Sequence, residues 1–80
     1  MFIEITEEEI YNFHKKISKN VRKIRKNKNL TQLDVSIAIG LSNPSFITNA
    51  ESLKSKKKFN LNQLFKLSII LETDISEFFK

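Results

Sequence analysis

Glycine and proline, the two residues that most reliably interrupt regular backbone, each occur once in this 80-residue chain, at Gly40 and Pro44. They fall together in Gly40-Leu41-Ser42-Asn43-Pro44. A chain so short of breakers elsewhere is free to be helical along most of its length. The pair fixes where one helix must stop and another begin. Glycine enters the left-handed region past a helix end without steric cost, and proline is pre-set for a first helical position, where its missing N–H costs nothing.

The apolar pattern on either side has the helical period. Ile10, Phe13, Ile17, Val21 and Ile24 step by three or four residues, the spacing of one helix face. Thr6 with Glu9 reads as a capping box, so a first helix is expected from Thr6 to Lys26, residues 1–16 forming its N-terminal extension. Lys15, Lys19, Arg22 and Lys26 fall opposite the apolar stripe. Thr31 can cap a second helix over Gln32 to Ile39, and Gly40 stops it. Asn43 as N-cap and Pro44 as first residue open a third helix, residues 44–52. Leu53 to Phe59 reads as a lysine-rich loop. Asn60 with Gln63 opens a fourth helix with Leu64, Leu67, Ile70 and Leu71 on its apolar face, and Asp74 with Glu77 opens a fifth carrying Ile75, Phe78 and Phe79. No segment alternates as a strand does. The expectation is an all-α, compact five-helix bundle, residues 1–80 forming a single domain with an extended N-terminal helix.

Eighty residues support one core. The absence of cysteine removes disulfides and thiolate metal sites. His14, the only histidine, reads as a surface residue, and no nucleophile–base pair, phosphate loop or metal spacing occurs. An enzyme, a cofactor and a metal are therefore not expected. Fourteen Lys and Arg against nine Asp and Glu give 14 − 9 = +5, and the charges are segregated. Residues 1–14 hold Glu4, Glu7, Glu8 and Glu9 without a Lys or Arg; residues 15–28 hold Lys15, Lys16, Lys19, Arg22, Lys23, Arg25, Lys26 and Lys28 without an acid. A second cluster is Lys54, Lys56, Lys57 and Lys58. Such asymmetry points to a polyanionic partner. The acidic N-terminus and the lack of a long apolar run point to a cytoplasmic protein with no membrane contact.

The succession Ile24-Arg25, Leu30-Thr31-Gln32, Val35, Ile39-Gly40-Leu41-Ser42, Pro44-Ser45-Phe46-Ile47-Thr48 and Glu51 closely resembles the helix-turn-helix family of Cro and the phage repressors, the Xre-type regulators. The tail from Phe59 to Leu71 and Asp74 to Phe79 is similar to that family's last two helices, so the likeness covers residues 17 to 79. It implies a helix-turn-helix over residues 31–52 that binds double-stranded DNA, its third helix in the major groove. On this chain the implied base-reading residues are Asn43, Ser45, Thr48 and Asn49, side chains able to bond base edges. Phosphate contacts fall to Gln32, Ser42, Lys54, Lys56, Lys57 and Lys58, with Lys19, Lys23 and Lys28 as weaker candidates. Arg25 and Glu51 occupy the positions of a buried ion pair. Ile47 matches a core position and Phe46 an aromatic close to the DNA backbone. The family's habit is a homodimer on a pseudo-palindromic site, often as a repressor.

Three departures stand out. Leu41 to Ala50 is one residue longer than the family's spacing, so the extra residue belongs to the turn or to the start of the third helix. Ser36 replaces an alanine at the crossing of the two helices, tolerable if its hydroxyl bonds the preceding turn. Ser52-Leu53 stand where a glycine is usual. Leu33 and Ile37, one turn apart, sit where the family is charged; either residues 1–13 cover them or they form a protein-binding patch. Two rivals follow: an antitoxin-like protein-interaction module on the same fold, and an architectural DNA-binding protein without sequence preference.

Overall fold

The computed structural model describes residues 3–80. Its elements are α1 (Glu7–Asn27), α2 (Gln32–Ala38), α3 (Ser45–Ser52), a short 3₁₀ helix (Lys54–Lys56), α4 (Leu61–Ile70) and a terminal 3₁₀ helix (Ile75–Phe79). No described residue is in a strand. Ile17, Val21, Val35, Ile39, Ile47, Ala50, Phe59, Leu64, Leu67, Leu71 and Phe78 form one core, each less than a tenth exposed. The molecule measures 45 × 26 × 19 Å. Among the described residues no helix is long and apolar enough to cross a membrane.

The starts of the helices follow local side-chain chemistry. Thr6 Oγ1 accepts from Glu9 N at 3.1 Å. Thr31 and Asp34, and again Asn60 and Gln63, complete reciprocal capping boxes. Each box satisfies two of the amide donors that a helix start leaves without a carbonyl. At α3 the cap differs from the expected one. Pro44 sits at the cap position with φ −82° and ψ −2°, one residue before the helix proper, and Asn43 Oδ1 accepts from Ser45 N at 2.9 Å.

Three helix ends share one geometry. After α2, Gly40 N donates to Ile37 O and Leu41 N to Ser36 O, with Gly40 at φ +94°. After α1, Asn29 N donates to Lys26 O and Leu30 N to Arg25 O, with Asn29 at φ +59°. After α4, Glu72 N donates to Ile69 O and Thr73 N to Ser68 O, with Glu72 at φ +51°. This paired closure needs one left-handed residue, which costs a side-chain-bearing residue about 1 kcal/mol relative to glycine. A Cβ added at Gly40 would meet no atom within 4 Å, so backbone conformation alone sets its cost. Gly40→Ala is therefore expected to destabilise by about 1 kcal/mol and Glu72→Gly to stabilise by about 0.5–1 kcal/mol. Thermal unfolding followed by circular dichroism checks both.

One expectation changes and two are refined. The fifth helix is the 3₁₀ segment Ile75–Phe79: Asp74 Oδ1 accepts from Ser76 N rather than Glu77 N. Fully buried Phe78 pins the segment, and Asn20 Nδ2 on α1 donates to Phe78 O and Lys80 O at 3.0 and 3.2 Å, so its last carbonyls are satisfied across the fold. The apolar stripe of α1 is buried only from Ile17 onward, because the helix outruns the core. Ile10 is 37% and Phe13 53% exposed, Phe13 stacking on Phe79 with ring centroids 6.2 Å apart. The lysine-rich segment contains a 3₁₀ turn. With no glycine after α3, Leu53, Ser55 and Lys56 all take positive φ between 57° and 59° to reverse the chain.

Candidate functional site

The polar contacts of the fold concentrate where α1, α2 and α3 meet. Arg25, buried on α1, donates from Nε to Glu51 Oε2 at 2.6 Å and from Nη2 to Glu51 Oε1 at 2.9 Å. Its Nη1 donates to Leu30 O at 2.8 Å, tying the exit of α1 to the same cluster. The two side chains are 7% and 3% exposed. A forked pair of this kind satisfies both partners and fixes the rotation of α3 against α1. The Arg25–Glu51 contact that the resemblance implied is present in the structure. Ser18, also buried, donates from Oγ to Ala50 O at 2.7 Å. Ser18 lies seven residues before Arg25 on the same flank of α1, a spacing that would have marked it as facing α3.

Gln32 extends this cluster to α2. Its Nε2 donates to Glu51 Oε1 at 3.0 Å, and its Oε1 accepts from Thr48 Oγ1 at 2.6 Å. Neither bond was legible in the sequence, and both alter the roles assigned to these residues. Thr48 spends its hydroxyl proton on a bond within the chain, at the exposed edge of the cluster, and Gln32 keeps one Nε2 proton and its helix-start amide for anything outside. Ser36, buried at the crossing, donates from Oγ to Gln32 O at 2.8 Å, the back-bond its replacement of alanine calls for. Asp34 accepts from Thr31 N at 2.9 Å, and that backbone bond, reinforced by the Thr31 hydroxyl, holds its carboxyl below the usual range.

The burial of Ile47 and Ala50 and the Glu51 pair set the register of α3 from within. From these fixed positions the helix runs back to Ser45, leaving Leu41 to Pro44 as the turn between α2 and α3. The inner face of α3, Ala50 and Glu51, meets α1; at about 100° per residue Ser45 and Asn49 lie on the opposite side and point away from α1. Ser45 is exposed and Asn49 half-buried. Among the described residues, neither the Ser45 hydroxyl nor the Asn49 amide forms a hydrogen bond within the chain, whereas Asn43 Oδ1 is committed to capping Ser45 N.

An open depression in front of these groups is lined by Leu41, Ser42, Asn43, Ser45, Phe46, Asn49 and Lys57. Phe46 closes it from below, edge-to-face on buried Phe59 with centroids 6.1 Å apart. Of the four loop lysines, only Lys57 borders this depression. Lys56, Lys57 and Lys58 also line a second groove with Glu7, Ile10, Tyr11 and Leu53, on the side of α1, while Lys54 lines neither. The loop cations are therefore divided between two faces. Lys15, Lys19 and Arg22 flank Ser52 and Leu53 at the far end of α3, and Lys16, Lys19, Arg22, Lys23 and Lys26 form a basic cleft with Lys80. Lys28 is exposed at the end of α1.

His14 is half-buried, not a simple surface residue. The Phe13 ring meets it edge-on at 5.4 Å, and burial, then repulsion from Lys58, pushes its imidazole below its ordinary range. Leu33 and Ile37 are 45% and 60% exposed, and the described residues before Phe13 leave them open. They share this exposure with Leu61, Phe65 and Ile69, one turn apart along α4. No cluster of three or more His, Cys, Asp or Glu suited to a metal occurs among the described residues.

Comparison with known proteins finds no matching family model, no similar curated protein and no similar solved structure.

Proposed function

We propose that this chain is a sequence-specific regulator that binds double-stranded DNA, with residues 31–52 acting as a helix-turn-helix and α3 entering the major groove. The observation that carries this reading is the division of labour on α3. Glu51 is locked to α1 and α2 through Arg25 and Gln32, and exposed Thr48 is tied to Gln32, while exposed Ser45 and half-buried Asn49 hold uncommitted polar groups on the face turned away from α1. Fixed presentation with free donors and acceptors is what direct readout of base edges requires. Lys57 and Ser42 stand beside that face, where phosphates flank a groove-bound helix, and the Gln32 amide at the start of α2 offers another phosphate contact. The resemblance to the Xre-type family supports the same assignment and adds a homodimer on a pseudo-palindromic operator, with repression as the outcome.

Selection from a random duplex pool at two salt concentrations tests this. The expected result is an enriched motif together with a fall in affinity of slope about −0.9 in log–log form per phosphate neutralised. A salt-dependent affinity that is equal for scrambled duplexes would instead identify an architectural protein. No salt dependence at all would exclude both.

A second reading rests on the open apolar side chains of α2 and α4. Leu33, Ile37, Leu61, Phe65 and Ile69 are exposed large apolar groups on neighbouring elements, as on a face that binds another protein. An antitoxin-like role would use this face while α3 kept its duplex. Leu33→Glu is then expected to abolish co-purification of a cellular protein with unchanged duplex affinity. A Leu33→Glu variant that retains every partner of the parent removes this reading.

A further inference from the structure

We propose that the N-terminal half of α1 is a docking surface for a second copy of this chain, packed antiparallel along the same helix. This deepens the homodimer of the DNA-binding reading by naming its surface, yet it draws on nothing in the DNA-facing site and is testable without DNA.

The first observation is an apolar stripe that outlives its core. Ile10 and Phe13 continue the spacing of Ile17 and Val21, but they are 37% and 53% exposed where Ile17 and Val21 are 3% and 0%. The helix is regular through this region, starting at Glu7. A free helix of this length is marginal in water, and an amphipathic one gains stability by burying its apolar face. The Phe79 ring stacks against Phe13, and Leu53 with Lys56, Lys57 and Lys58 borders Ile10, yet half of Phe13 and a third of Ile10 stay open.

The second observation is charge placement. At about 100° per residue, Glu9 and Lys16 lie on one flank of the Ile10–Phe13 stripe, and Glu7 and His14 on the other. In an antiparallel helix pair, each flank meets the same flank of its partner. Setting Ile10 of one copy against Phe13 of the other brings Glu9 to Lys16 and Glu7 to His14. Twofold symmetry makes each contact twice. On that flank the cation is Lys58 and not His14, whose charged form burial and Lys58 disfavour, so the Glu9–Lys16 flank carries the stronger charge match. Within the chain the ion pairs among the described residues are Arg25–Glu51 and Lys80–Glu77, so Glu7, Glu9 and Lys16 are left for an external partner.

The exposed α4 stripe has no such self-complementarity. From Leu61 to Leu71 its only charge is Lys66, with no acid to meet it. The segregation of acidic residues 1–14 from basic residues 15–28 fits an antiparallel copy: one copy's acidic end lies along the other's basic middle. A seam a few turns long buries less than the roughly 800 Å² per partner of standard interfaces, so the dimer is expected to be reversible, with a Kd in the micromolar range.

Sedimentation of the full chain without DNA, across micromolar concentrations, provides the test, with circular dichroism confirming that each exposed substitution leaves the fold intact. Wild type is expected to dimerise reversibly. Glu9→Lys alone sets lysine against Lys16, and Lys16→Glu alone sets glutamate against Glu9; each is expected to weaken the dimer about tenfold. An equimolar mixture of the two variants makes every flank pair attractive and is expected to recover near-wild-type association. Three outcomes overturn the proposal: a monomer at every concentration, a mixture no better than its components, or a dimer insensitive to both substitutions but dissolved by Phe65→Ser.

Discussion

Glu51→Ala is expected to lower the unfolding free energy by about 3–5 kcal/mol, the largest effect of any single substitution in the polar cluster. The cost is not the lost attraction as such. Removing the carboxylate leaves the Arg25 guanidinium, 7% exposed, without its counter-charge in a site that water barely reaches, and an uncompensated buried charge is among the most expensive defects a fold can hold. Gln32 loses an acceptor in the same step, and Thr48 then hydrogen-bonds a side chain that is no longer anchored. For a domain whose total stability is about 5–15 kcal/mol, a loss of this size leaves a large unfolded fraction. Thermal melts should show Tm falling by about 4–8 °C per kcal/mol. The partner experiment separates charge from packing: Arg25→Met combined with Glu51→Met is expected to recover much of the loss, because a well-packed apolar pair removes the desolvation penalty altogether. If Glu51→Ala melts within about 0.5 kcal/mol of the parent, in the range of a surface substitution, the pair does not hold α3.

Asn49→Ala is expected to lower affinity for the selected duplex by roughly 5- to 150-fold while leaving stability nearly unchanged. The range follows from about 1–3 kcal/mol for a bidentate amide contact to a base. Stability is spared because the Asn49 amide bonds nothing else among the described residues, so its removal leaves no buried partner wanting. Thr48→Val behaves differently. It breaks the 2.6 Å bond to Gln32 and should reduce stability and affinity together. Asn43→Ala removes the cap on Ser45 N and should cost about 1 kcal/mol of stability, with any affinity change following from a frayed helix start. Binding isotherms and melts on the same three variants give three distinct patterns. An Asn49→Ala protein with parental affinity removes Asn49 from the reading face.

These contrasts bear on what each residue was expected to do. On sequence alone Asn43, Ser45, Thr48 and Asn49 form one undivided set of polar residues at the start and outside of a helix. In the folded chain the Thr48 hydroxyl and Asn43 Oδ1 are hydrogen-bonded within the chain and the Ser45 and Asn49 side chains are not, because Gln32 on α2 and the Ser45 amide claim them first. The same holds for the loop lysines. Four cations close in sequence read as one cluster, yet the left-handed residues Leu53, Ser55 and Lys56 turn the segment so that Lys57 reaches the α3 face and Lys58 approaches His14.

What the sequence by itself determined is local. The all-helical class, the caps at Thr6, Thr31 and Asn60 and the stop at Gly40 all follow from residue types at fixed short spacings; the Arg25–Glu51 pair, 26 residues apart, comes only from the family resemblance. Hydrogen bonds between residues two to five apart, and apolar periods of three and four, depend on nothing beyond their own segment. What only the tertiary structure decided is how far a pattern is used. The stripe on α1 has one period from Ile10 to Ile24, but full burial ends at Ile17 because the earlier turns meet only the Phe79 ring and the loop around Leu53 to Lys58. The terminal segment has a helical start signal, but cross-chain bonds from Asn20 and the burial of Phe78 draw it into a 3₁₀ turn. The register of α3 was likewise open by count alone. Buried Ile47 and Ala50, with Glu51 clamped by Arg25, fix it, since shifting the helix by one residue would rotate that carboxylate out of its guanidinium's reach.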